Sequence, residues 1–370
     1  MPLRPRNEVK KIKACPHGGI NYAELKAAGI PAEALIDFSV CTNPFMPPAR
    51  IREMFLGDFA IDKYPDSETT GLRQRLADKL KMEPGNIIAG SGTTELIRLI
   101  ALAYLNKDDK VLILEPTYGE YELACQLYGA NVLKHRAGAE DNFAPRVDEV
   151  VSLIGQHRPK AVFICNPNNP TGKYLSREEI ERALVTIRDG LLILDEAYLS
   201  FVEKPWPSIE LIDRDNVILL RSMTKDYALT GLRLGYAVAR AEIINTLRPV
   251  CPPWNVNVIA QQTGIWVLEH EEALEESQRK IREARQFLFE GLSQLGLPPM
   301  PSDTHYALVR VGNAKAFRAR LLQQGIQVRD GTSFGLPEYV RIASRTIPEC
   351  RKLIDAIKKL QDKGELAAVG

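Results

Sequence analysis

The sequence predicts an α/β protein with a three-layer α/β/α domain built on a mostly parallel sheet, followed by a smaller α+β domain. Two observations lead to this prediction. Between about residues 66 and 240, continuous apolar runs of strand length alternate with amphipathic stretches, as is typical of parallel strands covered by helices on both faces. The chain also has 370 residues, which is more than one hydrophobic core usually supports.

The predicted elements of the larger domain alternate along the chain. Strands are predicted at 86–89, 111–114, 161–165, 191–194 and 217–220. Helices are predicted at 68–82, 95–105, 120–128 and 176–188. The last helix opens with Ser176 and Glu179, which have the S-x-x-E spacing of a capping box.

A long charged helix at 271–295, with Gly296 just past its end, is predicted to connect the two domains. The smaller domain is predicted to contain strands at 306–311, 326–329 and 339–343 and helices at 314–324 and 347–361. We therefore divide the chain into an N-terminal arm over 1–45, a large domain over 46–270 and a small domain over 271–370.

Composition excludes several classes of function. A net charge of +1 provides no bulk field for nucleic acid or membrane surfaces, and the apolar runs are too short to cross a bilayer. The six cysteines form no C-x-x-C pair and lie near no histidine cluster, so we expect neither a metal site nor a disulfide framework. Reduced thiols are typical of a cytoplasmic enzyme.

Lys225 is the candidate catalytic residue. It lies three residues after Ser222, directly behind a predicted strand, where ligands of open parallel sheets bind. A lysine amine condenses with an aldehyde only when it is deprotonated, and burial or a nearby cation lowers its pKa towards neutrality. An aldehyde cofactor, pyridoxal 5'-phosphate, therefore suits this position.

Four further side chains suit the ring of that cofactor. Asp195, directly after a strand, would keep the pyridine nitrogen protonated and so make the ring a better electron sink. Tyr198 and Asn169 would donate hydrogen bonds to the phenolic oxygen, although the Asn-Pro cluster around Asn169 also favours a plain turn. Tyr118 could stack on the ring, although an isolated aromatic residue is more often part of a core.

The segment from Gly90 to Thr94 is a candidate phosphate loop. Glycines such as Gly92 let a backbone approach a phosphate, and a helix that begins at Thr93 and Thr94 would offer N–H donors. Ser222 and Arg233 would add a hydroxyl group and a cation to the same site.

Together these residues resemble the fold-type-I pyridoxal-phosphate enzymes of the aspartate aminotransferase superfamily, and the resemblance covers nearly the whole chain. Segments 116–121 and 166–172 resemble histidinol-phosphate aminotransferases. Three other stretches resemble threonine-phosphate decarboxylases of cobalamin biosynthesis. They are His17-Gly18-Gly19, the segment 35–39 with Asn43-Pro44, and the segment 253–257.

The resemblance implies roles for residues that local patterns do not single out. Tyr64 would reach across a homodimer interface to the cofactor phosphate. Arg341 would bind the acid group of the substrate, and Arg329 would lie near the substrate's phosphate. His17 and Gly18 would belong to a segment that folds over the substrate.

Cys41 departs from the decarboxylase pattern D-F-S-x-N-x-N-P, which has a substrate-contacting Asn at this position. A thiol is a poorer hydrogen-bond donor than an amide. Either a neighbour such as Thr42 or Asn43 takes over, or the substrate differs. We count Cys41, Asn43 and Asn169 among the predicted substrate contacts.

The resemblance implies decarboxylation of O-phospho-L-threonine, or of an analogue such as O-phospho-L-serine, to an aminoalkyl phosphate for cobalamin biosynthesis. The alternative is a histidinol-phosphate aminotransferase, which would use the same cofactor residues. A regulator that keeps the fold without catalysis is disfavoured, because the sequence shows no basic helix suited to DNA.

Overall fold

A seven-stranded sheet lies at the centre of the larger part of the molecule. The computed structural model describes residues 3–12, 14–46, 51 and 59–366. Its first eight strands are β1 Ile36–Asp37, β2 Ile87–Gly90, β3 Lys110–Glu115, β4 Asn131–Arg136, β5 Ala161–Cys165, β6 Leu191–Asp195, β7 Val217–Ser222 and β8 Gly235–Val238. The order across the large sheet is β2-β8-β7-β6-β5-β3-β4. β8 runs antiparallel to both neighbours and the other pairs are parallel, which confirms the predicted mostly parallel sheet.

Helices cover both faces of this sheet. The described helices up to residue 270 are, in chain order, α1 Asn7–Lys11, α2 Tyr22–Ala28, α3 Thr70–Leu80, α4 Thr93–Tyr104, α5 Glu120–Leu127, α6 Val147–His157, α7 Arg177–Thr186, α8 Met223–Asp226, α9 Ala241–Leu247 and α10 Val258–Glu269. Successive residues of β5 point to opposite cores: Val162 packs with the cluster that contains Leu72 of α3, and Phe163 with the cluster that contains Leu96 of α4. Burial on both faces explains why the central strands are apolar without alternation.

Several elements of the large domain, among them β4, α6, α9 and α10, have no counterpart in the sequence prediction. β4 is an edge strand whose residues are mostly exposed or half-buried, so its sequence Asn131–Arg136 lacks a continuous apolar run. α6 follows Arg146, whose side chain makes no capping hydrogen bond, so it carries no sequence signal for a helix start. The predicted capping box of α7 is present, with Ser176 and Glu179 in reciprocal contact.

The C-terminal part contains two small sheets. Its elements are α11 Glu272–Gln294, β9 Tyr306–Arg310, α12 Ala314–Gln323, β10 Ile326–Gln327, β11 Arg329–Asp330, β12 Tyr339–Ala343 and α13 Ile347–Asp362. β11, β12 and β9 form an antiparallel sheet, and β10 pairs in parallel with β1 from the N-terminal segment. Phe38 beyond β1 is buried in the C-terminal core. The predicted boundaries near residues 45 and 270 remain predictions.

None of the described helices is both long and apolar enough to cross a membrane. All six cysteines are free thiols.

Candidate active site

A cavity of about 100 Å³ lies at the carboxyl ends of the central strands, and we call it the strand-end cavity. It is lined by Thr93, Thr94, Tyr118, Tyr121, Cys165, Asn169, Asp195, Ala197, Tyr198, Ser222, Thr224, Lys225 and Arg233. The parallel strands deliver these residues to one edge of the sheet, as the sequence analysis expected. Apart from Gly92 and Tyr64, the residues predicted to hold the cofactor therefore line one cavity.

Lys225 lies on the short helix α8, which follows β7 without a break. Burial lowers the pKa of its ammonium group to about 8, and the positive charges of Arg341 and Arg233 act in the same direction. The backbone carbonyl of Lys225 accepts a hydrogen bond from the Asn43 N–H at 3.0 Å, which ties this turn to the N-terminal segment. A sizeable fraction of the amine is therefore neutral near physiological pH.

Asp195 ends β6 and is buried. Burial raises the pKa of its carboxyl group to about 6, while a hydrogen bond from Tyr121 and another from the Ala197 N–H oppose that rise. The Tyr121 hydroxyl donates to Asp195 Oδ2 at 2.7 Å, and its ring stacks on Phe163 at 5.3 Å between centroids. Sequence reasoning missed Tyr121, because a tyrosine on the buried face of a helix gives no signal that separates it from core packing.

The candidate phosphate loop, which leads into α4, presents backbone and hydroxyl groups. Gly92 has a φ of +77°, a backbone conformation that favours glycine, and a Cβ placed there would lie 2.7 Å from Arg233 Nη2. Thr93 and Thr94 begin the helix, and Ser222 lies at the end of β7 on the other side of the cavity. A cation, hydroxyl groups and a helix N-terminus at one place are the groups that bind a phosphate.

Glu95 stabilises the candidate phosphate loop. Its Oε2 accepts hydrogen bonds from the Ser91 N–H and from Asn255 Nδ2, each at 2.7 Å. Asn255 belongs to the 253–257 segment that resembles threonine-phosphate decarboxylases, so this stretch has a structural task independent of any substrate.

A second cavity, of about 140 Å³, adjoins the first, and we call it the cleft cavity. It shares Tyr118, Asn169, Tyr198 and Lys225 with the strand-end cavity. The rest of its wall comes from the N-terminal segment, from Gly119 just before α5, and from the C-terminal part: Cys15, Pro16, His17, Gly18, Ser39, Val40, Cys41, Arg329, Ser333, Phe334 and Arg341. Lys225 thus lies at the boundary between the two cavities.

Arg329 and Arg341 lie directly opposite each other on β11 and β12 and both line the cleft cavity. Burial lowers the pKa of Arg329 to about 10, and the charge of Arg341 adds to this effect. Arg341 is buried and donates to Asn169 Oδ1 and, at 2.5 Å, to the Ser39 carbonyl, while its Nε has no hydrogen-bond partner among the described residues. Two facing cations are unfavourable without an anion, so this wall is suited to a negatively charged ligand.

The N-terminal segment closes one side of the cleft cavity. His17 Nε2 lies 3.0 Å from Glu120 Oε1, and Arg329 donates to the Pro16 carbonyl at 2.8 Å. A Cβ on Gly18 would lie 2.7 Å from the Ser39 carbonyl oxygen, so this glycine permits the close approach of the segment. Cys41 is fully buried beside Tyr198 and Tyr306, and burial raises the pKa of its thiol.

Besides Gly92, two predicted site residues lie outside the walls of these cavities within the described part of the chain. Tyr64 is 78% exposed and stacks on Trp254 at 4.2 Å between centroids. The predicted contact of Tyr64 would therefore be with the cofactor phosphate bound by a second chain. Asn43 turns its amide towards the Asp226 carbonyl and Ser277 Oγ, at 2.9 and 2.7 Å. Its side chain therefore holds the fold together at this point and leaves Cys41 to form the wall.

The comparisons with known proteins concern the chain as a whole. Residues 33–357 match the family model for aminotransferase class I and II. The chain is 31% identical over 363 residues to a histidinol-phosphate aminotransferase of Methanocaldococcus jannaschii, covering 96% of this chain and 97% of that protein.

Two solved structures share the fold. The L-threonine-O-3-phosphate decarboxylase of Porphyromonas gingivalis is 27% identical with a TM-score of 0.79, covering 89% of this chain and 100% of that one. The histidinol-phosphate aminotransferase of Sinorhizobium meliloti, in complex with pyridoxal-5'-phosphate, is similar in fold, with 24% identity and a TM-score of 0.86 over 96% of this chain and 98% of that one. The chain therefore belongs to the aminotransferase class I and II family, whose enzymes depend on pyridoxal phosphate.

Proposed function

We propose that the protein transfers the amino group of a phosphorylated amino compound, in the manner of a histidinol-phosphate aminotransferase. The observation that carries this proposal is the facing pair Arg329 and Arg341 in a cavity that Lys225 also lines. The curated relatives with that activity, 31% identical over most of the chain, support the same choice over the decarboxylase expected from the sequence.

The donor set of the strand-end cavity fits pyridoxal phosphate. Lys225 would hold the aldehyde carbon and Asp195 the pyridine nitrogen, while Tyr198 and Asn169 would donate to the phenolic oxygen. The phosphate would be held by Thr93, Thr94, Ser222 and Arg233 with the backbone at Gly92, and by Tyr64 of a second chain in a homodimer. When bound, the cofactor supplies an electron sink for charge that develops at the substrate Cα.

Lys225 is placed to move protons at the substrate Cα. It borders both cavities, so its amine can face a cofactor in one and a substrate in the other. A pKa lowered to about 8 lets it both accept and return a proton near neutral pH. The ring of Tyr198, whose centroid lies 5.8 Å from Lys225 Nζ, limits the space in which the amine moves.

Arg341 and Arg329 would hold the anionic groups of the substrate. Arg341 is fixed by Asn169 and the Ser39 carbonyl, and its Nε, which has no partner within the described part of the chain, leaves one buried N–H to satisfy. A phosphate or carboxylate oxygen is the group that such a donor favours. Arg329 is less buried, and both of its hydrogen bonds, to the Pro16 carbonyl at 2.8 Å and to Ser333 Oγ at 2.6 Å, leave from Nη2, so it has more freedom to adjust to the substrate's length.

A second candidate function is decarboxylation of O-phospho-L-threonine or O-phospho-L-serine, which would supply an aminoalkyl phosphate of the kind needed for cobalamin. The N-terminal segment favours it, because His17 and Gly18 line the cleft cavity as expected for a decarboxylase. The related Porphyromonas structure gives it further support. The choice of reaction depends on how Arg329, Arg341 and His17 orient the charged groups of the substrate.

A paired assay on the holoenzyme distinguishes the two functions. The protein is incubated with histidinol phosphate and 2-oxoglutarate, and in parallel with each phospho-amino acid. Glutamate formation in the first arm, without carbon dioxide in the second, is the expected result. Release of carbon dioxide from phosphothreonine with no glutamate from histidinol phosphate would favour decarboxylation, and Lys225→Ala serves as the inactive control in both arms.

A further inference from the structure

Three side chains at the rim of the cleft cavity bring together a thiol, an imidazole and a carboxylate. Cys15, His17 and Glu120 each offer one donor atom, and these atoms all lie within 4.8 Å of one another. Cys15 and His17 are two positions apart, and Glu120 is 103 positions from His17 at the first residue of α5. The sequence expectation of no metal site considered only local spacing, which cannot detect such a group.

We propose that Cys15, His17 and Glu120 form a binding site for a divalent transition-metal ion of the zinc class. Sulfur, nitrogen and oxygen donors are the ligands of tetrahedral zinc, and three protein ligands leave one position open. In such a centre the donor atoms lie about 3.5 Å apart. Side-chain adjustments of about 1 Å bring this group to that spacing.

The surroundings of Glu120 suit a metal ligand. The carboxylate is buried, with Oε1 towards His17 and Oε2 accepting a hydrogen bond from Arg98 at 3.1 Å. An ion bound to Oε1 would leave the Arg98 contact in place as an outer partner, which is the usual support of a metal-binding carboxylate. His17 Nε2 already points at the oxygen that would share the ion.

Gly119 makes room for the thiol. A Cβ at this position would lie 2.6 Å from Cys15 Sγ, so a larger residue would displace the sulfur from its present position. The glycine therefore permits the approach of the N-terminal segment to the start of α5.

A bound ion would fix the N-terminal segment over the cleft cavity. The Pro16 carbonyl between the two N-terminal ligands accepts a hydrogen bond from Arg329, and the His17 ring lies 5.9 Å from that of Tyr118. Without metal, the segment is held here by single hydrogen bonds such as these. Three coordinate bonds would link the N-terminal segment to α5, and this link would not depend on substrate.

The first test is zinc binding by the holoenzyme, measured as zinc per chain after equilibrium dialysis against micromolar Zn²⁺. We expect about one ion per chain. Cys15→Ser and His17→Gln should each weaken binding at least about tenfold, since even outer partners of a metal contribute that much. Cys251→Ser is the matched control, because Cys251 is likewise half-buried, precedes a proline and lies with its Sγ 3.8 Å from that proline's carbonyl oxygen.

The second test uses Cd²⁺, whose bond to a thiolate absorbs in the ultraviolet, together with amide hydrogen exchange over residues 15–19. The absorbance should appear in the wild type and in Cys251→Ser but not in Cys15→Ser, and Zn²⁺ should slow exchange only where the absorbance appears. Equal zinc content in wild type and Cys15→Ser would overturn the proposal and leave His17 and Glu120 as a simple hydrogen-bonded pair. Neither readout requires turnover, so the result is independent of the proposed reaction.

Discussion

The strand-end cavity and the cleft cavity share four residues but are built in different ways. The first is made of side chains that directly follow strands of one sheet, so its geometry is set by the register of those strands. The second is made where the N-terminal segment, the start of α5 and the β11–β12 pair meet. Most of the candidate cofactor residues therefore lie at the edge of one sheet, and most of the candidate substrate residues lie on separate parts of the chain that pack against it.

This difference separates two kinds of chemical task. Cofactor binding requires fixed donors around a flat ring, and strand ends supply them at little conformational cost. Substrate selection requires charges whose spacing can vary between related enzymes, and loops and short strands supply those. Changes in the first cavity should therefore affect the cofactor, whereas changes in the second should affect KM for particular substrates.

Replacing Lys225 should have the largest effect. Lys225→Ala removes the amine that would hold the cofactor aldehyde and move the Cα proton, so activity should fall about 10²- to 10⁴-fold. The visible absorbance of the lysine-bound cofactor should disappear as well, which a spectrum of the purified protein measures. Lys359→Ala, an exposed lysine on α13, is the control, and a retained absorbance in Lys225→Ala would refute the assignment.

Replacing the two arginines of the cleft cavity should raise KM with little change in cofactor binding. Arg341→Gln should raise KM for a phosphorylated substrate about 100-fold, because a buried charged hydrogen bond contributes up to about 3 kcal/mol. Arg329→Gln should raise it about tenfold, since that side chain is less buried and more loosely anchored. Initial rates over a range of substrate concentrations give both values.

Arg310→Gln is the matched control for this pair, because Arg310 lies on the neighbouring strand β9 and faces solvent beside Glu338. Its KM should equal that of the wild type. An unchanged KM in Arg341→Gln would show that the substrate is anchored elsewhere in the cleft cavity.

Removing the Tyr121 hydroxyl should have the smallest effect of the three changes, and a pH-dependent one. Its hydrogen bond favours the ionised form of Asp195, so in Tyr121→Phe the pKa of Asp195 should rise further above about 6. Affinity for pyridoxal phosphate should fall about tenfold at neutral pH. The loss of this affinity on acidification should begin at a higher pH than in the wild type, because Asp195 then becomes protonated at a higher pH.

Fluorescence titration of the apoenzyme with pyridoxal phosphate between pH 5 and about 8 measures this shift. Tyr128→Phe, at the C-terminal end of the same helix, should leave the curve in place. A coincident curve for Tyr121→Phe would mean that Asp195 does not govern cofactor affinity.

The large sheet and most of the strand-end cavity were predictable from sequence. Apolar strands and the polar residues behind them, such as Asp195 and Lys225, are adjacent in the chain, and parallel topology places them at one edge. β4 and Tyr121 were not predictable, because an exposed edge strand and a core-like tyrosine lack a distinctive local pattern.

One sequence similarity that predicted a function is explained by structure instead. The 253–257 segment resembles decarboxylases. Asn255, however, supports the candidate phosphate loop through its hydrogen bond to Glu95, and Asn257 caps α10 by accepting from the Ala260 N–H at 2.8 Å. Both tasks serve any enzyme that keeps this loop. The segment is therefore weak evidence for one reaction over another.

The sequence by itself determined the α/β fold, the family and the candidate cofactor residues that line the strand-end cavity, because these depend largely on patterns within a few positions along the chain. Only the tertiary structure decided that Cys41 rather than Asn43 faces the cleft cavity, that Arg329 lies opposite Arg341, and that Cys15 and His17 meet Glu120. These contacts join positions that are far apart in sequence. They depend on how separate elements pack, which no local pattern specifies.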